Sequence, residues 1–565
     1  MLLEKLVEYA DILNAPPIMY EKRAIKYLFE LDSDGKYLGL ITLSDESSRG
    51  NRGKEYIAPT VPRSSNIRPI LLMDTGEYAL GIPKSEDRAE RVEQYHQSFK
   101  ELINQCAVDT DDKDIRAIAD FLSNLEIESL ELPNDFDPSM NVTFSVDGDL
   151  PFKREDIQEY WRQYNSSAEA DTNEFECISC GKIGKVEERL TKKVKGLPGG
   201  QSSGTSLISA NENAYFSYGL EHSLISPICR VCAEKFTYSL NTLLREENNH
   251  IRIGPIAYVF WMPNEKEIDI RSLLENPEPA DVKALFETVY GRHAGSTGLD
   301  LQPFYAASLS ASGSRVVIRD IISTTLTSIQ ENLTNFFSAQ TLQHGRYFGI
   351  YSLASGMVRT VNVRGKNAII QQLEPHHIQP LLKCALQQKP IPRWMLQKVS
   401  QRIKAEIGEE TFWYADIRAS LIKLILTTNN HPLFKEGNME ELNPSVERAA
   451  YHCGRLLSVL EEIQEAAIPG VKSTIVDRFF GTASTAPASV FGRLVKGSQS
   501  HLGKLRKEKP GYHVNLQRKL ADVMGAIHAF PRTLSLEDQG LFALGYYHQR
   551  ADRYAKHEEE PAVEE

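Results

Sequence analysis

The sequence predicts a multidomain α+β protein: a mixed N-terminal region with β-hairpins and an inserted zinc-ribbon-like module, followed by an all-α C-terminal helical bundle. Three observations support this prediction. Turn signals separate short apolar runs early in the chain, two CxxC pairs flank a Gly- and Ser-rich stretch, and apolar positions recur at helical spacing near the C-terminus. At 565 residues, the chain is long enough for two to four domains.

The bulk composition is ordinary, with 41% hydrophobic and 25% charged residues. No apolar run reaches the length of a membrane span. The first residues, MLLEKLVEYADILNAP, form an amphipathic helical pattern without the basic region and cleavage site of a secretory signal. Seven cysteines, four of them in CxxC pairs, favour a reducing compartment, so we expect a cytoplasmic protein.

The first domain, residues 1–170, is predicted to contain two hairpins. Strands at 24–31 and 36–43 flank an Asp-Ser-Asp-Gly turn, and a second hairpin is expected over 69–82. Between them, residues 44–68 form a polar segment of a length that is usually functional or disordered. Later elements are expected in this order: helices near 84–106 and 112–126, then a strand at 140–148.

A module over residues 171–250 contains the two cysteine pairs, spaced C-x2-C, 48 residues, C-x2-C. A tetrahedral zinc ion requires four ligands, and each CxxC turn can supply two thiolates. The predicted ligands of a structural zinc are Cys177, Cys180, Cys229 and Cys232. The alternative is two unrelated pairs of buried or free cysteines.

Between the pairs, residues 195–219 read KGLPGGQSSGTSLISANENAYFSYG. Gly200–Gly204 matches G-x-S-x-G, but a hydrolase with Ser202 as nucleophile needs a strand before the serine and a helix after it. The preceding KKVKGLPG is charged and interrupted by Gly and Pro, so it does not predict the apolar strand. The glycines and hydroxyls would allow close approach of a phosphate chain. Tyr215, Phe216 and Tyr218 either stack on bases or pack in a core.

The remaining chain divides into an α+β to helical region, 251–430, a polar linker near 427–443 and a C-terminal helical bundle, 439–565. A strand is expected at 253–262 and a hairpin at 304–320. Helices are then expected over most of 323–338 and 377–428.

Charge is distributed unevenly around a formal net charge of −12. Residues 469–520 carry ten Lys and Arg against Asp477 and Glu508. This pattern suits the backbone of a nucleic acid, although a solvated helix face would look the same. The residues that would contact a DNA strand include Lys472, Arg478, Arg493, Lys496, Lys504, Arg506 and Lys507. No convincing pair of acid and base residues emerges, so we expect no catalytic activity.

Several stretches resemble the large subunit of the type I-C CRISPR Cascade complex. They are the Gly/Ser stretch above, HSLISPICRVCAEKFTYSLNTLL, SRVVIRD, LLEKLVEYADIL and ILLMDTGEYALGI. The resemblance implies a subunit without a nuclease of its own. Such a subunit recognises a short motif beside the target, the PAM, on double-stranded DNA, assists duplex opening and R-loop formation, holds the displaced strand, and recruits the helicase-nuclease.

Given that resemblance, segment 44–68 is the preferred PAM-reading loop, with Lys195, Gln201, Ser202 and Ser203 as further candidates. Asn and Ser side chains can bond to base edges, and Arg and Lys can hold phosphate. The DNA-contacting residues of the loop would be Arg52, Lys54, Arg63, Ser64, Ser65, Asn66 and Arg68.

The expected partners are CRISPR RNA, target DNA and other Cascade subunits: a handle-binding subunit, backbone subunits and small subunits. Family members can produce the small subunit by internal translation, and Lys435-Glu436-Gly437 just before Met439 can encode a ribosome-binding sequence. Chance would produce the same tripeptide. The rival functions are a serine hydrolase using Ser202, a metal-dependent nuclease using the cysteine cluster, and a factor that binds DNA without RNA.

Overall fold

The computed structural model describes residues 2–44, 52–63, 67–167, 174–263, 269–293, 302–343, 345–409, 411–434 and 439–558. These residues form two compact units. Unit 1 comprises Met1–Val194 and Ser206–Thr242, and unit 2 comprises Lys195–Thr205 and Leu243–Glu565. The α+β class is confirmed, with small sheets towards the N-terminus and helices towards the C-terminus. The division into four domains stays a prediction.

Unit 1 combines small sheets with helices. Its elements are α1 (Leu2–Ile12), β1 (Tyr20–Ile25), β2 (Tyr27–Leu31), β3 (Tyr37–Thr42), β4 (Lys54–Pro59), β5 (Met73–Thr75), α2 (Gly76–Ala79), α3 (Ala89–Thr110), α4 (Lys113–Ser123), β6 (Asn141–Val146), α5 (Glu155–Ser167), β7 (Glu174–Glu176) and β8 (Ile183–Lys185). Helix α6 (Arg230–Arg245) begins in unit 1 and ends in unit 2.

The main sheet of unit 1 has the strand order β3-β2-β6-β5, with β2 and β6 parallel. The predicted first hairpin is confirmed as β2–β3. Its turn is stabilised by the Asp32 carboxylate, which accepts hydrogen bonds from the amides of Asp34 (3.0 Å) and Lys36 (2.8 Å). The expected strand at 24–31 is divided at Lys26, because β1 leaves this sheet and pairs with β4 as a separate antiparallel ribbon.

The second predicted hairpin, over 69–82, is wrong. Only β5 is a strand, and it pairs with β6, while the following residues form the short helix α2. The loop before β6 determines this outcome. The amide of Gly76 donates to Met140 O (3.0 Å) and that of Glu77 to Pro138 O (3.1 Å), so these amides are not available to a returning strand.

The predicted helices near 84–106 and 112–126 are confirmed as α3 and α4, which pack on the sheet. Phe29, Phe99 and Phe144 are all at most 1% exposed in this core. Asp112 caps α4 by accepting hydrogen bonds from the amides of Asp114 and Ile115, both at 3.0 Å. The sheet and its helices therefore form one apolar core in unit 1.

Unit 2 begins with a sheet and continues as helices. Its elements are β9 (His250–Ile253), β10 (Ile256–Trp261), α7 (Ile270–Glu275), α8 (Pro279–His293), β11 (Pro303–Ser312), β12 (Arg315–Thr325), α9 (Leu326–Gln340), α10 (Ile350–Ser355), α11 (Lys366–Ile370), α12 (Pro375–Gln387), α13 (Arg393–Glu406), α14 (Phe412–Thr428), α15 (Ala449–Ala467), α16 (Ile475–Ala483), α17 (Phe491–Glu508), α18 (Pro510–Gly525) and α19 (Leu536–Glu558).

The sheet of unit 2 is antiparallel, in the order β12-β11-β10-β9. The hairpin expected at 304–320 is confirmed as β11–β12. The strand expected at 253–262 is present as β10 but begins only at Ile256, because Gly254, at φ +56°, turns the chain between β9 and β10. One hydrophobic cluster runs from Ile251 to Tyr547, so the C-terminal helices share a core with the preceding sheet and helices.

No helix in the described ranges combines the length and the apolar character needed to cross a membrane.

Candidate metal centre and nucleic-acid interface

The four predicted metal ligands come together in unit 1. The thiol sulfurs of Cys177, Cys180, Cys229 and Cys232 all lie within 4.8 Å of one another. Cys177 and Cys232 are buried, at 1% and 3% exposure, whereas Cys180 is exposed. The reading as two unrelated cysteine pairs is therefore wrong: the two pairs form one cluster that can hold a metal ion.

Two structural elements position these thiols. The first pair lies in the turn between β7 and β8, where Cys177 N donates to Lys182 O (3.0 Å) and Gly181 N to Cys177 O (2.8 Å). The second pair lies at the start of α6, where Cys229 N approaches Cys177 Sγ at 3.4 Å. An amide donating to a thiolate stabilises its negative charge, as is common around structural metal sites.

The arrangement fits zinc. Tetrahedral Zn–S bonds place the sulfurs about 3.8 Å apart, and Cys180 Sγ lies 4.0 Å from Cys229 Sγ. Hydrogen bonding from the Cys232 thiol lowers the pKa of Cys229, which favours the thiolate form that a metal ion binds. Four cysteines complete a closed shell without a position for water or substrate, which is typical of a structural rather than a catalytic zinc.

The Gly/Ser stretch is divided between the two units, with 195–205 in unit 2. Gln201, Ser202 and Ser203 form an exposed turn closed by Gly204 N donating to Gln201 O (2.9 Å). A Cβ added to Gly200 would lie 3.5 Å from the Ala311 side chain, so the segment packs beside β11. Ser202 thus lies in a surface turn and not at a strand-to-helix elbow.

Lys195, at the start of this segment, is also exposed. The segment presents hydroxyl, amide and ammonium groups on the surface of unit 2, while its apolar residue, Leu197, is 6% exposed. Its role in binding DNA stays a prediction.

The expected PAM-reading loop lies partly outside the described residues, since Ser64, Ser65 and Asn66 are not among them. The remaining positions, Arg52, Lys54, Arg63 and Arg68, are all exposed. Lys54 lies on β4, with its Nζ 5.6 Å from the centre of the Tyr56 ring. Lys153 approaches the same ring at 5.0 Å. The β1–β4 ribbon therefore presents cations beside an aromatic ring, an arrangement that the sequence pattern does not indicate.

Arg63 is partly exposed, but its guanidinium is held by contacts within unit 1. Its guanidinium pairs with the buried carboxylate of Asp74, donates from Nε to Arg68 O (2.8 Å), and stacks 4.1 Å from the centre of the Tyr78 ring. Asp74 also accepts hydrogen bonds from the amides of Ile70 and Thr75. Burial raises the pKa of Asp74, and the Arg63 charge opposes that rise. The structure thus assigns Arg63 a stabilising contact at the base of the loop.

The predicted basic residues of the C-terminal region are exposed on three consecutive segments. Lys472 precedes α16, Arg478 lies on α16, and the remaining five lie on α17. Some of them contact other groups. Lys504 donates to Ala467 O (2.8 Å), and the Arg493 guanidinium lies 5.1 Å from the centre of the Phe479 ring.

On α17, the positive charges share one face. At 100° per residue, Arg493, Lys496, Lys504 and Lys507 lie opposite the buried side of the helix, which consists of Phe491, Leu494, Ser498, Leu502 and Leu505. Arg506 lies at the margin of this basic face. One acidic residue, Glu508, lies beside this face at the end of the helix, 3.9 Å from Lys504.

Three glycines, Gly492, Gly497 and Gly503, lie on or beside the same face, and the charge pattern of the sequence does not point to them. A Cβ at Gly492, Gly497 or Gly503 would meet nothing within 4 Å, so the fold itself does not require them. Each glycine inside a helix costs about 1 kcal/mol relative to alanine. The helical spacing of these glycines relative to the lysines can be read from the sequence, and it would have placed them near the basic face.

These features define an α+β protein with a four-cysteine centre and a cationic helix face, and a family comparison places it more narrowly. The family model described as CRISPR-associated protein (Cas_Csd1) matches residues 4–554. The chain belongs to this Csd1 family of CRISPR-associated proteins and is of the Cascade type. A search of curated proteins found no match.

Proposed function

We propose that the chain is the non-catalytic large subunit of a type I-C Cascade, the cytoplasmic RNA-guided complex of antiviral defence. In this proposal it recognises the PAM on double-stranded DNA, assists duplex opening and R-loop formation, binds the displaced strand and recruits the helicase-nuclease. Its partners are CRISPR RNA and the handle-binding, backbone and small subunits. The cysteine cluster holds a structural zinc.

The observation that carries the proposal is the basic face of α17. Arg493, Lys496 and Lys507 extend from one side of a helix whose opposite side is buried in the core of unit 2. A rigid row of cations neutralises phosphates and releases their counterions, whatever the base sequence. The open positions at Gly497 and Gly503 let a sugar-phosphate backbone approach the helix closely. Such a surface suits a displaced single strand, whose sequence varies with the target.

The test is binding of full-length protein to single-stranded DNA at several salt concentrations. Arg493→Ala/Lys496→Ala/Lys507→Ala is compared with Arg245→Ala/Lys283→Ala/Lys398→Ala, which removes the same number of exposed charges elsewhere in unit 2. We expect the first variant to bind about tenfold more weakly, with a salt slope reduced by about 2. Equal affinities of the two variants would contradict the role of α17.

PAM recognition is assigned to the region of the β1–β4 ribbon and the loop after it. The two-stranded ribbon carries Lys54 beside Tyr56, and such ribbons can enter a major groove. In complexes loaded with guide RNA, Asn66→Ala should lower binding to PAM-containing duplex and leave guide RNA binding intact. Retained PAM discrimination would show that this loop does not read the motif.

Internal translation from Met439 would supply the small subunit as residues 439–565. Met439 is 7% exposed within the hydrophobic cluster of unit 2, so the residue also has a packing role in the full chain. Met439→Leu preserves much of that packing and removes the start codon. Loss of a small co-purifying polypeptide would support the proposal, and an unchanged gel would contradict it.

The absence of catalysis is part of the proposal. Purified full-length protein should cleave neither DNA nor an ester substrate, and Ser202→Ala should change no measured activity. Nuclease or esterase turnover that Ser202→Ala abolishes would instead favour the hydrolase. Target binding that is independent of guide RNA and companion subunits would favour a stand-alone DNA-binding factor.

A further inference from the structure

Two tyrosines are exposed on the loop that follows the Gly/Ser segment in unit 1. Tyr218 is 99% exposed and Tyr215 is 51% exposed. Core packing, one of the two alternatives for these rings, is therefore wrong for both. Their neighbour Phe216 is partly buried and contacts the His222 ring edge-on, with 5.9 Å between ring centres. The loop thus turns one aromatic ring inward and presents two outward.

The backbone holds Tyr218 in a fixed and unfavourable conformation. Tyr218 and Gly219 have φ values of +54° and +75°, and they form the centre of a tight turn between Ser217 and Leu220. This turn is closed by Leu220 N donating to Ser217 O at 2.9 Å. A left-handed conformation costs a residue other than glycine about 1–2 kcal/mol. A second glycine at position 218 would avoid this cost, so the exposed tyrosine is not explained by the turn.

The base of the turn is well supported. His222 Nδ1 lies 3.0 Å from Ala210 O, and its Nε2 lies 3.0 Å from Arg189 Nη2. The amide of Ser223 donates to Glu188 O at 2.9 Å. These bonds connect the loop to the chain that follows the β7–β8 hairpin. Tyr218 is consequently preorganised, which reduces the entropy lost when a partner immobilises it.

The charge of the loop argues against a nucleic acid as its ligand. No Lys or Arg occurs between residues 196 and 229, and Glu212 and Glu221 are exposed on either side of the two tyrosines. The loop itself therefore offers phosphates no cation beside its tyrosines, in contrast to the basic face of α17, and Arg189 contacts His222 at the base of the loop. Residues 211–221, NENAYFSYGLE, are rich in Tyr, Asn, Ser and Gly, a composition that resembles protein-binding loops of antibodies.

We propose that residues 211–221 are a docking loop for another protein subunit of the complex, with Tyr218 as the central contact. The complementary surface is a pocket that accepts one tyrosine ring, surrounded by Lys or Arg side chains that pair with Glu212 and Glu221. Rigid, exposed tyrosines bury a large area at a low entropic cost, and they are enriched among residues that dominate interfaces. This inference rests on the proposed function, because it takes its partner from the same complex.

The test is assembly of the full-length chain with its co-expressed CRISPR subunits and guide RNA, measured by native mass spectrometry and titration. Tyr218→Ala and Glu212→Lys/Glu221→Lys should each weaken incorporation at least tenfold. Tyr290→Ala, which removes a 55% exposed tyrosine of unit 2, is the matched control and should incorporate normally. Tyr218→Gly separates folding from binding, since it should also lose incorporation while its melting temperature stays equal or rises.

Single-stranded and duplex DNA binding by the same isolated variants distinguishes the possible failures. Unchanged DNA affinity together with lost incorporation supports the docking loop. Unchanged incorporation by Tyr218→Ala overturns it, and so does a loss of duplex binding with assembly intact, which would place the tyrosine against nucleic acid. If even the wild-type complex binds no target, the proposed function fails, while the assembly measurement still decides the role of this loop.

Discussion

The cysteine module of unit 1 and helix α17 of unit 2 support their exposed surfaces in different ways. The module has short elements, β7 and β8 of three residues each, and it depends on four thiols and a few hydrogen bonds. Helix α17 has 18 residues and buries one face in a hydrophobic cluster that continues through the unit. Loss of one cysteine should therefore disrupt the module, whereas loss of one surface residue should leave α17 folded.

The difference also concerns chemistry. The loop at residues 211–221 contains no Lys or Arg and presents two exposed tyrosines. Helix α17 presents lysines and an arginine beside glycines that have no neighbouring atoms within 4 Å of an added Cβ. A short preorganised turn that presents one exposed ring suits recognition of one specific shape. A long regular helix with repeated charge suits a repeating polymer. The predictions below test this contrast, from the largest expected effect to the smallest.

Cys177→Ser should remove the bound metal and unfold the module locally. Structural zinc sites contribute about 10–16 kcal/mol of binding free energy, which exceeds what such short strands can supply. We expect metal analysis to show about one zinc per wild-type chain and none in the variant, with new protease cleavage between 174 and 232. Cys384→Ala, which changes a buried cysteine of unit 2, should keep its zinc. Zinc-free wild-type protein would contradict the assignment.

Arg63→Met should destabilise unit 1 by about 3–5 kcal/mol, because it leaves the buried Asp74 carboxylate without its partner cation. Urea unfolding at pH 7 measures the loss. Because burial raises the pKa of Asp74, lowering the pH should protonate its carboxyl and remove the unpaired buried charge of the variant. The difference in unfolding free energy between wild type and variant should therefore shrink as pH falls. Arg63→Met/Asp74→Asn is the control and should recover much of the stability. A silent single variant would show that this pair is dispensable.

His548 should make the stability of unit 2 dependent on pH. Complete burial lowers its pKa to about 3, so between about pH 6.5 and 3 the unfolded chain binds a proton that the folded chain does not. The stability that comes with the neutral, buried imidazole is fully present above pH 6.5. Below that pH the free energy of unfolding falls by about 1.4 kcal/mol per pH unit. His548→Gln should flatten the unfolding free energy between pH 6.5 and 5 relative to wild type. Parallel pH profiles would contradict the pKa.

Gly497→Ala gives the smallest effect and the sharpest test of the α17 surface. Alanine should stabilise the helix by about 1 kcal/mol, visible as a higher melting temperature. If a sugar-phosphate backbone lies close to this position, affinity for single-stranded DNA should fall severalfold despite the gain in stability. Gly481→Ala on α16, which also faces open space, should stabilise without lowering affinity. If the two variants bind single-stranded DNA with equal affinity, the position of Gly497 is not part of the DNA contact.

Local sequence signals predicted much of the fold. The Asp-Ser-Asp-Gly turn, the periodic apolar residues of α3 and α4, and the CxxC spacing all act over a few residues, and all were confirmed. The hairpin at 69–82 failed because distant carbonyls of the loop before β6 bind the amides of α2. Sequence reasoning lacks that information, since it depends on which segment returns to cover a strand.

The candidate site was predictable to different degrees in its parts. Four cysteines in pairs have few alternatives, so the cluster was found with its correct members. The role of Arg63 was not found, because its partner Asp74 becomes buried only through tertiary packing. The outward orientation of the Tyr218 side chain depends on the left-handed backbone conformation of that residue, which the dipeptide Tyr-Gly does not predict. The excess of Lys and Arg in residues 469–520 predicted the basic region. Recognising the glycines between the lysines also requires the helical periodicity of α17.

The chain passes between its two compact units three times, because 195–205 belongs to unit 2 while the residues on either side belong to unit 1. A single break in the polypeptide would therefore not yield two complete pieces. A fragment ending at Thr242 would carry the 195–205 segment away from β11, and a fragment starting at Leu243 would lack it. Separation of the two compact units therefore requires rejoining the sequence in a new order, because trimming from either end leaves neither unit with all of its own residues and no others.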